Sequence, residues 1–204
     1  MVKEINLIDT NIVILAKNHN PTIISKEWLK LRGIVEENEN FPKFTHTPIL
    51  SYVETDNFRF IVDPDRLQIS LVKISDENIE KLPNITEKYI GQLPETPYTA
   101  LGLNYNYNIE LQAESLKKIF HPDKDKFTKL FTKNYQLGGI IIFSHSNFMV
   151  KIDIKPTFNE AEKIIVNFNF HCDSKKIEEI EKRIKLYFEM RNKTQKILKG
   201  LFNE

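Results

Sequence analysis

The amino-acid sequence predicts an α+β protein with one extended antiparallel sheet and helices on one face, a saddle-like two-layer fold. Three observations support this. Residues 97–111 alternate apolar and polar side chains with a period of two, which is typical of a strand with one buried face. The other apolar segments are joined by short turns, which favour antiparallel pairing. Segments with helical-period apolar stripes follow strands in both halves of the chain.

The segment 97–111 defines the expected centre of the sheet. One face carries a continuous apolar stripe, which we expect to lie buried beneath helices: Leu101, Leu103, Tyr105 and Tyr107. The other face carries small residues and then a row of amides, which we expect to line the uncovered face: Asn104, Asn106 and Asn108. The alternation therefore predicts a strand with two chemically different faces.

The first half of the chain predicts a strand (or two strands joined by a turn at residues 9–11), a short helix, three strands and a longer helix. In order, these cover residues 5–17, 26–32, 47–54, 58–63, 67–74 and 76–91. Ser25 is suited to capping the short helix, and Gly33 to the left-handed position after it. Pro83 lies inside the longer helix and predicts a kink or a break there.

The second half predicts the same order of elements. They are a strand at 98–111, a helical region at 113–133, strands at 137–144, 148–155 and 163–171, and a helix from 175 nearly to residue 204. About 28 residues in this last helix would form a rod of ~40 Å. Such a rod is longer than the sheet requires for its own coverage.

The repeated order of elements predicts an internal duplication of a β-α-β-β-β-α unit, with halves 1–94 and 95–204 sharing one sheet. No repeat is visible at the level of individual residues. The arrangement resembles the duplicated, saddle-like folds of the TATA-binding-protein and sliding-clamp type. This resemblance concerns shape, and shape alone does not imply a function.

Composition excludes several classes of protein. The 204 residues include 29 basic and 28 acidic side chains, for a net charge of +1, which argues against polyanion binding through bulk charge. The single cysteine, Cys172, cannot form an intramolecular disulfide, which favours a reducing cytoplasm. The N-terminal residues lack the features of a signal peptide. We therefore expect a cytoplasmic prokaryotic protein that does not bind a membrane.

The sequence predicts no metal site, no cofactor and no catalytic residue. The five histidines are scattered without metal-ligand spacing, and no glycine-rich phosphate loop precedes a helix. His171, Cys172 and Asp173 are adjacent, but neighbouring strand residues point to opposite faces, so His171 and Cys172 should not touch. An enzyme whose residues converge only in three dimensions is kept as an alternative.

Two surfaces are candidate interaction sites. The first is the amide-bearing sheet face, which would contact a protein or nucleic-acid bases, or would only keep the sheet soluble: Asn104, Asn106, Asn108, Asn167 and Asn169. The second is the apolar stripe of the C-terminal helix, which would pack on a second chain or only on its own sheet: Ile184, Tyr187, Phe188, Leu198 and Leu201.

Two motifs resemble a family of uncharacterised prokaryotic proteins. They are an Asn-Pro turn before a short helix, at residues 20–29 (NPTIISKEWL), and a Gly-Leu-Asn strand at residues 97–104 (PYTALGLN). The resemblance spans the first half and the central strand. It implies no activity, because none is established for that family.

These observations predict a non-enzymatic protein-binding or assembly module, acting as a homodimer or as a subunit of a prokaryotic complex. The alternative is a nucleic-acid-binding saddle that uses the Asn-rich face. Salt-dependent binding to DNA or RNA would favour this alternative, since phosphate contacts release counterions.

Overall fold

The computed structural model describes residues 4–110, 116, 119–131, 136–157 and 160–202. They form a single antiparallel sheet of nine strands in the order β2-β3-β4-β5-β1-β6-β9-β8-β7. The first five strands are β1 (Glu4–Ala16), β2 (Lys43–Thr47), β3 (Leu50–Glu54), β4 (Phe58–Asp63) and β5 (Arg66–Leu71). The other four are β6 (Tyr98–Glu110), β7 (Gly139–His145), β8 (Phe148–Thr157) and β9 (Glu160–Asp173). The predicted α+β class with one antiparallel sheet is confirmed.

Five α-helices accompany the sheet in the described residues: α1 (Lys26–Leu31), α2 (Asp76–Gly91), α3 (Lys124–Phe131), α4 (Ile177–Ile184) and α5 (Tyr187–Phe202). A short 3-10 helix covers Pro21–Ile23. Ser25 caps α1 by accepting a hydrogen bond from the Trp28 N–H at 3.0 Å, and Gly33 follows with φ +60°, as predicted. Within the described ranges, no helix has the length and apolar character needed to cross a membrane.

The two long central strands, β1 and β6, pair along almost their whole length. β1 is flanked by β5 and β6 by β9, so the outward order is β1-β5-β4-β3-β2 on one side and β6-β9-β8-β7 on the other, and the two sides differ by the extra edge strand β2. Ile8 is an extra residue at a register shift in β1, between the pairs Leu7/Tyr107 and Asp9/Asn106. Apart from β2, the two sides share a strand order, but the internal duplication of the halves stays a prediction.

The faces of β6 are as predicted from its alternation. Leu101, Leu103, Tyr105 and Tyr107 are buried in the core that the helices share with the sheet, whereas Asn104 is half-buried on the opposite face. We call the first the covered face and the second the open face. Helices α1, α2, α4 and α5 contribute residues to the core on the covered face, because the strands present their apolar side chains there.

Three tyrosine hydroxyls attach α5 to the central strands. Tyr105 donates to the Tyr187 carbonyl at 2.6 Å. The Tyr107 hydroxyl lies 2.6 Å from Thr194 Oγ1, and the Tyr187 hydroxyl lies 2.6 Å from Thr10 Oγ1. Each threonine already donates to a backbone carbonyl, so in both pairs the tyrosine must be the donor. Every one of these buried hydroxyls is therefore satisfied.

The predicted single C-terminal helix is wrong. The chain forms two helices, with a turn at Lys185 and Leu186 between α4 and α5. The apolar spacing from Ile184 to Tyr187 is three residues, which is also the spacing of a continuous helix. The pattern therefore contains no mark of the turn, which divides the predicted helix after Ile184.

Two smaller predictions also need correction. The segment predicted as one strand over 47–54 is the second half of a hairpin, because Pro48 and Ile49 form a turn between β2 and β3. In α2, the helix continues through Pro83 from Asp76 to Gly91, so Pro83 does not break it.

We predict that Thr10→Val weakens the attachment of α5 to the sheet. The substitution leaves the buried Tyr187 hydroxyl without an acceptor, which should lower the free energy of unfolding by about 1–3 kcal/mol. Tyr187→Phe should cost less, and the double variant should cost less than the sum of the two single variants. Urea unfolding of the four proteins tests this, and strict additivity would show that the two hydroxyls do not interact.

Candidate functional site

The open face carries a cluster of polar side chains on its three central strands, which we call the amide cluster: Asp9, Asn11, Asn104, Asn106, Asn167 and Asn169. The register aligns them in two rows across β1, β6 and β9. One row is Asn11, Asn104 and Asn169, and the other is Asp9, Asn106 and Asn167. Directly opposite residues in a sheet lie about 5 Å apart, so their side chains can bond to one another.

Hydrogen bonds run along both rows and meet at Asp9. In the first row, Asn169 Nδ2 donates to Asn104 Oδ1 at 2.7 Å, and Asn104 Nδ2 donates to Asn11 Oδ1 at 2.8 Å. Asn11 Nδ2 then donates to Asp9 Oδ2 at 3.0 Å. In the second row, Asn167 Nδ2 donates to Asn106 Oδ1 and Asn106 Nδ2 to Asp9 Oδ2, each at 2.9 Å.

The Asp9 carboxylate sets the orientation of all five amides. The nitrogen and oxygen of an asparagine amide look alike, so their assignment depends on the partners. An ionised carboxylate only accepts hydrogen bonds, so Asn11 and Asn106 must direct their Nδ2 atoms at Asp9. The oxygens of Asn11 and Asn106 then face the next amide in each row. Those amides must donate to them through Nδ2, which fixes the orientations of Asn104 and Asn167 and, through Asn104, that of Asn169.

The amides of the cluster have fixed orientations but keep unused hydrogen-bond donors and acceptors. Each amide has two N–H donors and two acceptor lone pairs, and the rows use only part of this capacity. Asn104, Asn106, Asn167 and Asn169 are half-buried, so they remain accessible from the open face. Asn108 does not join the rows, because it lies opposite Ile165 on β9 and its Oδ1 is buried without a hydrogen bond in the described structure.

An ion-pair group lies on the same face toward the β2 edge. Glu54, whose side chain is 7% exposed, pairs with Lys43 at 2.9 Å and with Arg59 at 3.0 Å. The Tyr52 hydroxyl donates to Glu54 Oε2 at 2.6 Å. Hydrogen bonds from Tyr52 and Lys43, assisted by Arg59, lower the pKa of Glu54 to about 2. Glu54 therefore holds these three side chains in place.

Charges of both signs surround the amide cluster. Lys151 lies opposite Asn169, and Asp153 lies opposite Asn167 and pairs with Lys155 at 2.8 Å. With Asp9 at the centre of the cluster, the open face has no stretch of uniformly positive charge around the amides. This balance does not favour a phosphate backbone, which needs several unopposed cations.

His171 and Cys172 lie on opposite faces of β9, as predicted. The His171 ring is 3.2 Å from Asp173 Oδ1 on the open side, whereas the Cys172 side chain is buried. Burial raises the pKa of the Cys172 thiol, so its nucleophilic thiolate form is disfavoured. The structure therefore does not bring this histidine and this thiol together.

The β7 strand forms one edge of the sheet and exposes large apolar side chains on the open face. We call Ile140, Ile142 and Met149 the β7 edge patch; they are 58%, 63% and 52% exposed. Ile142 lies next to Ile140 on the open face of β7 and diagonally opposite Met149, which pairs with Ser144 on β7, so Ile142 adjoins both other side chains. No strand in the described ranges pairs with the outer side of β7.

On the covered side, the first residue of β7, Gly139, packs against the Phe120 ring. A Cβ atom at Gly139 would clash with the Phe120 ring, so a larger residue there would force that ring to move. Phe120, Ile141 and Phe143 are only partly buried, although they pack against the core. β7 therefore exposes apolar surface on both of its faces.

The predicted interface residues on the C-terminal helices are mostly used inside the chain. Ile184, Tyr187 and Leu198 are fully buried in its own core, and Leu201 is partly buried against that core. Phe188 is 37% exposed. A second chain could reach Phe188 and Leu201 only, and their role as an interface stays a prediction.

Sequence reasoning missed Asp9 and Asn11 as members of the amide cluster. Both residues were compatible with a turn within the first strand, since Asp and Asn favour turns. Their polar side chains alternate with Thr10 and Ile12, which is a weak signal for a continuous strand. Their alignment with Asn104 and Asn106 depends on pairing between strands more than 90 residues apart.

We predict that Asp9→Ala disturbs the whole amide cluster. Asn11 and Asn106 lose their common acceptor, which should lower the free energy of unfolding by about 1–2 kcal/mol. In NMR spectra, the side-chain amide signals of Asn104 and Asn169 should also shift, although neither residue bonds to Asp9. Asn6→Ala, an exposed position on the same strand, is the control. Shifts confined to the direct partners of Asp9 would contradict a connected row.

We predict that the stabilisation from Glu54 depends on pH. Its folded pKa of about 2 lies below the ordinary value of 4.5, so the stabilisation is complete above pH 4.5 and is lost as the pH falls toward 2. The difference in free energy of unfolding between wild type and Glu54→Gln should therefore be constant above about pH 5 and shrink below it. Urea unfolding at several pH values tests this, and a difference that does not change with pH would refute it.

A scan against models of known protein families and a search of curated proteins both found no match. The resemblance of residues 20–29 and 97–104 to a family of uncharacterised prokaryotic proteins therefore stays a prediction. The open face thus carries two candidate interaction surfaces, the amide cluster and the β7 edge patch.

Proposed function

We propose that the protein is a non-enzymatic protein-binding or assembly module of the prokaryotic cytoplasm, and that it binds an extended polypeptide segment along the outer edge of β7. The observation that carries this proposal is the uncharged, apolar character of that edge. An extended segment would add as a further strand, with main-chain hydrogen bonds for affinity and side-chain contacts for specificity.

The charge of the strand supports this reading. Of the nine described strands, β7 (Gly139–His145) is the one without Lys, Arg, Asp or Glu. Edge strands of monomeric proteins are usually protected by charges, proline or short length, because their free backbone groups otherwise pair with other chains. The opposite edge, β2, follows this rule, since it has five residues and carries Lys43.

The apolar side chains on this edge support the same reading. Ile140, Ile142 and Met149 form a contiguous exposed patch, and clustered exposed apolar residues are typical of interaction sites. An added strand would cover Ile140 and Ile142 on the open face and Phe143 on the covered face. One bound segment would therefore cover apolar surface on both sides of β7.

The alternative of a nucleic-acid-binding saddle has less support. The ordered amides of Asn104 and Asn169 could contact bases, because asparagine pairs well with adenine edges. However, Asp9 lies within the amide cluster and Asp153 beside it, and both would repel phosphates. The charge balance therefore favours a polypeptide as the partner.

We predict that a photo-crosslinking amino acid at position 142 joins the full-length protein, in the cell that produces it, to a defined polypeptide segment. Mass spectrometry of the crosslinked peptides identifies that segment. The same amino acid at position 49, where Ile49 is 73% exposed near the β2 edge, is the matched control. Equal crosslinking at the two positions, or crosslinks from position 142 only to nucleic acid, would contradict the proposal.

A further inference from the structure

We infer that the segment bound at β7 is the β7 strand of a second copy of this chain, paired antiparallel about a twofold axis at Ile142. This inference rests on the proposed function and names its partner. It would join two nine-stranded sheets into one continuous sheet through a symmetric interface.

The absence of charged residues from β7 favours pairing of this strand with its own copy. In a twofold antiparallel pair, each strand lies opposite itself, so any charged residue near the axis would approach its own copy. β7 has no Lys, Arg, Asp or Glu, so no such repulsion arises. The nearest lysine on the open face, Lys151 on β8, would lie three strand spacings from the partner's Lys151, or about 14 Å. That distance exceeds the screening length of ~8 Å in physiological salt.

The sizes of the side chains that would face each other across the twofold axis are also compatible. Ile142 is the middle residue of Gly139–His145, so an axis there pairs the whole strand. Ile140 then lies opposite the partner's Ser144, and Ile141 lies opposite the partner's Phe143. Away from the axis, the large Ile140 thus meets a small serine, which leaves room for Met149 of each copy beside the partner's Ile140.

A second β7 strand also matches the apolar surface that β7 exposes on its two faces. β7 exposes apolar groups on both faces, with Ile140 and Ile142 on the open face and partly buried Ile141 and Phe143 on the covered face. A segment that covers both faces must itself be apolar on both sides. The β7 strand has this composition, whereas most strands of this sheet alternate apolar and polar residues.

The size of the contact predicts a weak dimer. A strand of seven residues is about 24 Å long. A contact one strand wide over this length buries less than the ~800 Å² per partner of a standard interface. We therefore expect a dissociation constant on the order of 10 µM, and a monomer at low concentration.

Sedimentation velocity of the full chain from about 1 to 300 µM tests this inference, over a range that brackets the expected dissociation constant. Wild type should change from monomer to dimer, and Ile142→Lys should weaken dimerisation at least tenfold by opposing two lysines at the axis. Ile49→Lys replaces another exposed isoleucine near the β2 edge and should dimerise as wild type does. Circular dichroism should show that both variants are folded.

Cysteine crosslinking tests the register. Opposite residues in an antiparallel pair have Cα atoms about 4.5–5.5 Å apart, within the range of a disulfide. A mixture of Ile140→Cys and Ser144→Cys chains should therefore form mixed disulfide dimers faster than either chain forms dimers with itself. Cys172 is buried and should not compete.

The possible outcomes separate this inference from the proposed function. A monomer at every concentration, a dimer that persists in Ile142→Lys, or no preference for mixed disulfides would overturn the homodimer. If the chain is monomeric and position 142 still crosslinks to a segment of another protein, the proposed function stands without the homodimer. If position 142 crosslinks to no polypeptide, both the homodimer and the proposed function are refuted.

Discussion

The antiparallel pair of β1 and β6 is the element on which the rest of the structure depends. Its strands pass through the middle of the sheet, and each carries apolar or hydroxyl groups on the covered face and polar groups on the open face. Asn104 connects the two layers. Its backbone carbonyl accepts the Thr10 hydroxyl, which in turn lies against Tyr187 of α5, while its side chain bonds to Asn11 and Asn169. Helix attachment and the amide cluster therefore depend on the same register.

Much of the fold could be predicted because its strongest signals are local. The alternation of β6 gave the correct strand and the correct buried face, since successive strand residues must point to opposite sides. The cap at Ser25 and the left-handed Gly33 also follow from local chemistry. The division between α4 and α5 could not be predicted, because Ile184 and Tyr187 keep the spacing of an unbroken helix. Thr194 is polar and outside the apolar stripe, yet it is buried, because it accepts a hydrogen bond from the Tyr107 hydroxyl.

The candidate sites could be predicted less well, because they depend on contacts between distant strands. The amides of β6 and β9 were visible in the sequence, but Asp9, which orients them, was not an expected member of the cluster. Similarly, the β7 strand was predicted near its true position, but its place at the edge of the sheet follows from the strand order. An apolar strand in the interior of a sheet is ordinary, whereas the same strand at an edge leaves apolar side chains and backbone groups exposed.

The convergence of both amide rows on Asp9 gives the open face a direction. Asn104 and Asn106 each point an N–H toward β1 and receive an N–H on their oxygen from β9, so their dipoles are aligned across the sheet. Reversing one amide would require reversing every amide in its row, and the amide next to Asp9 would then turn an oxygen toward the carboxylate. Any molecule that lies across these strands therefore meets a polar array that distinguishes its two ends. An asymmetric ligand would bind there in one orientation rather than two.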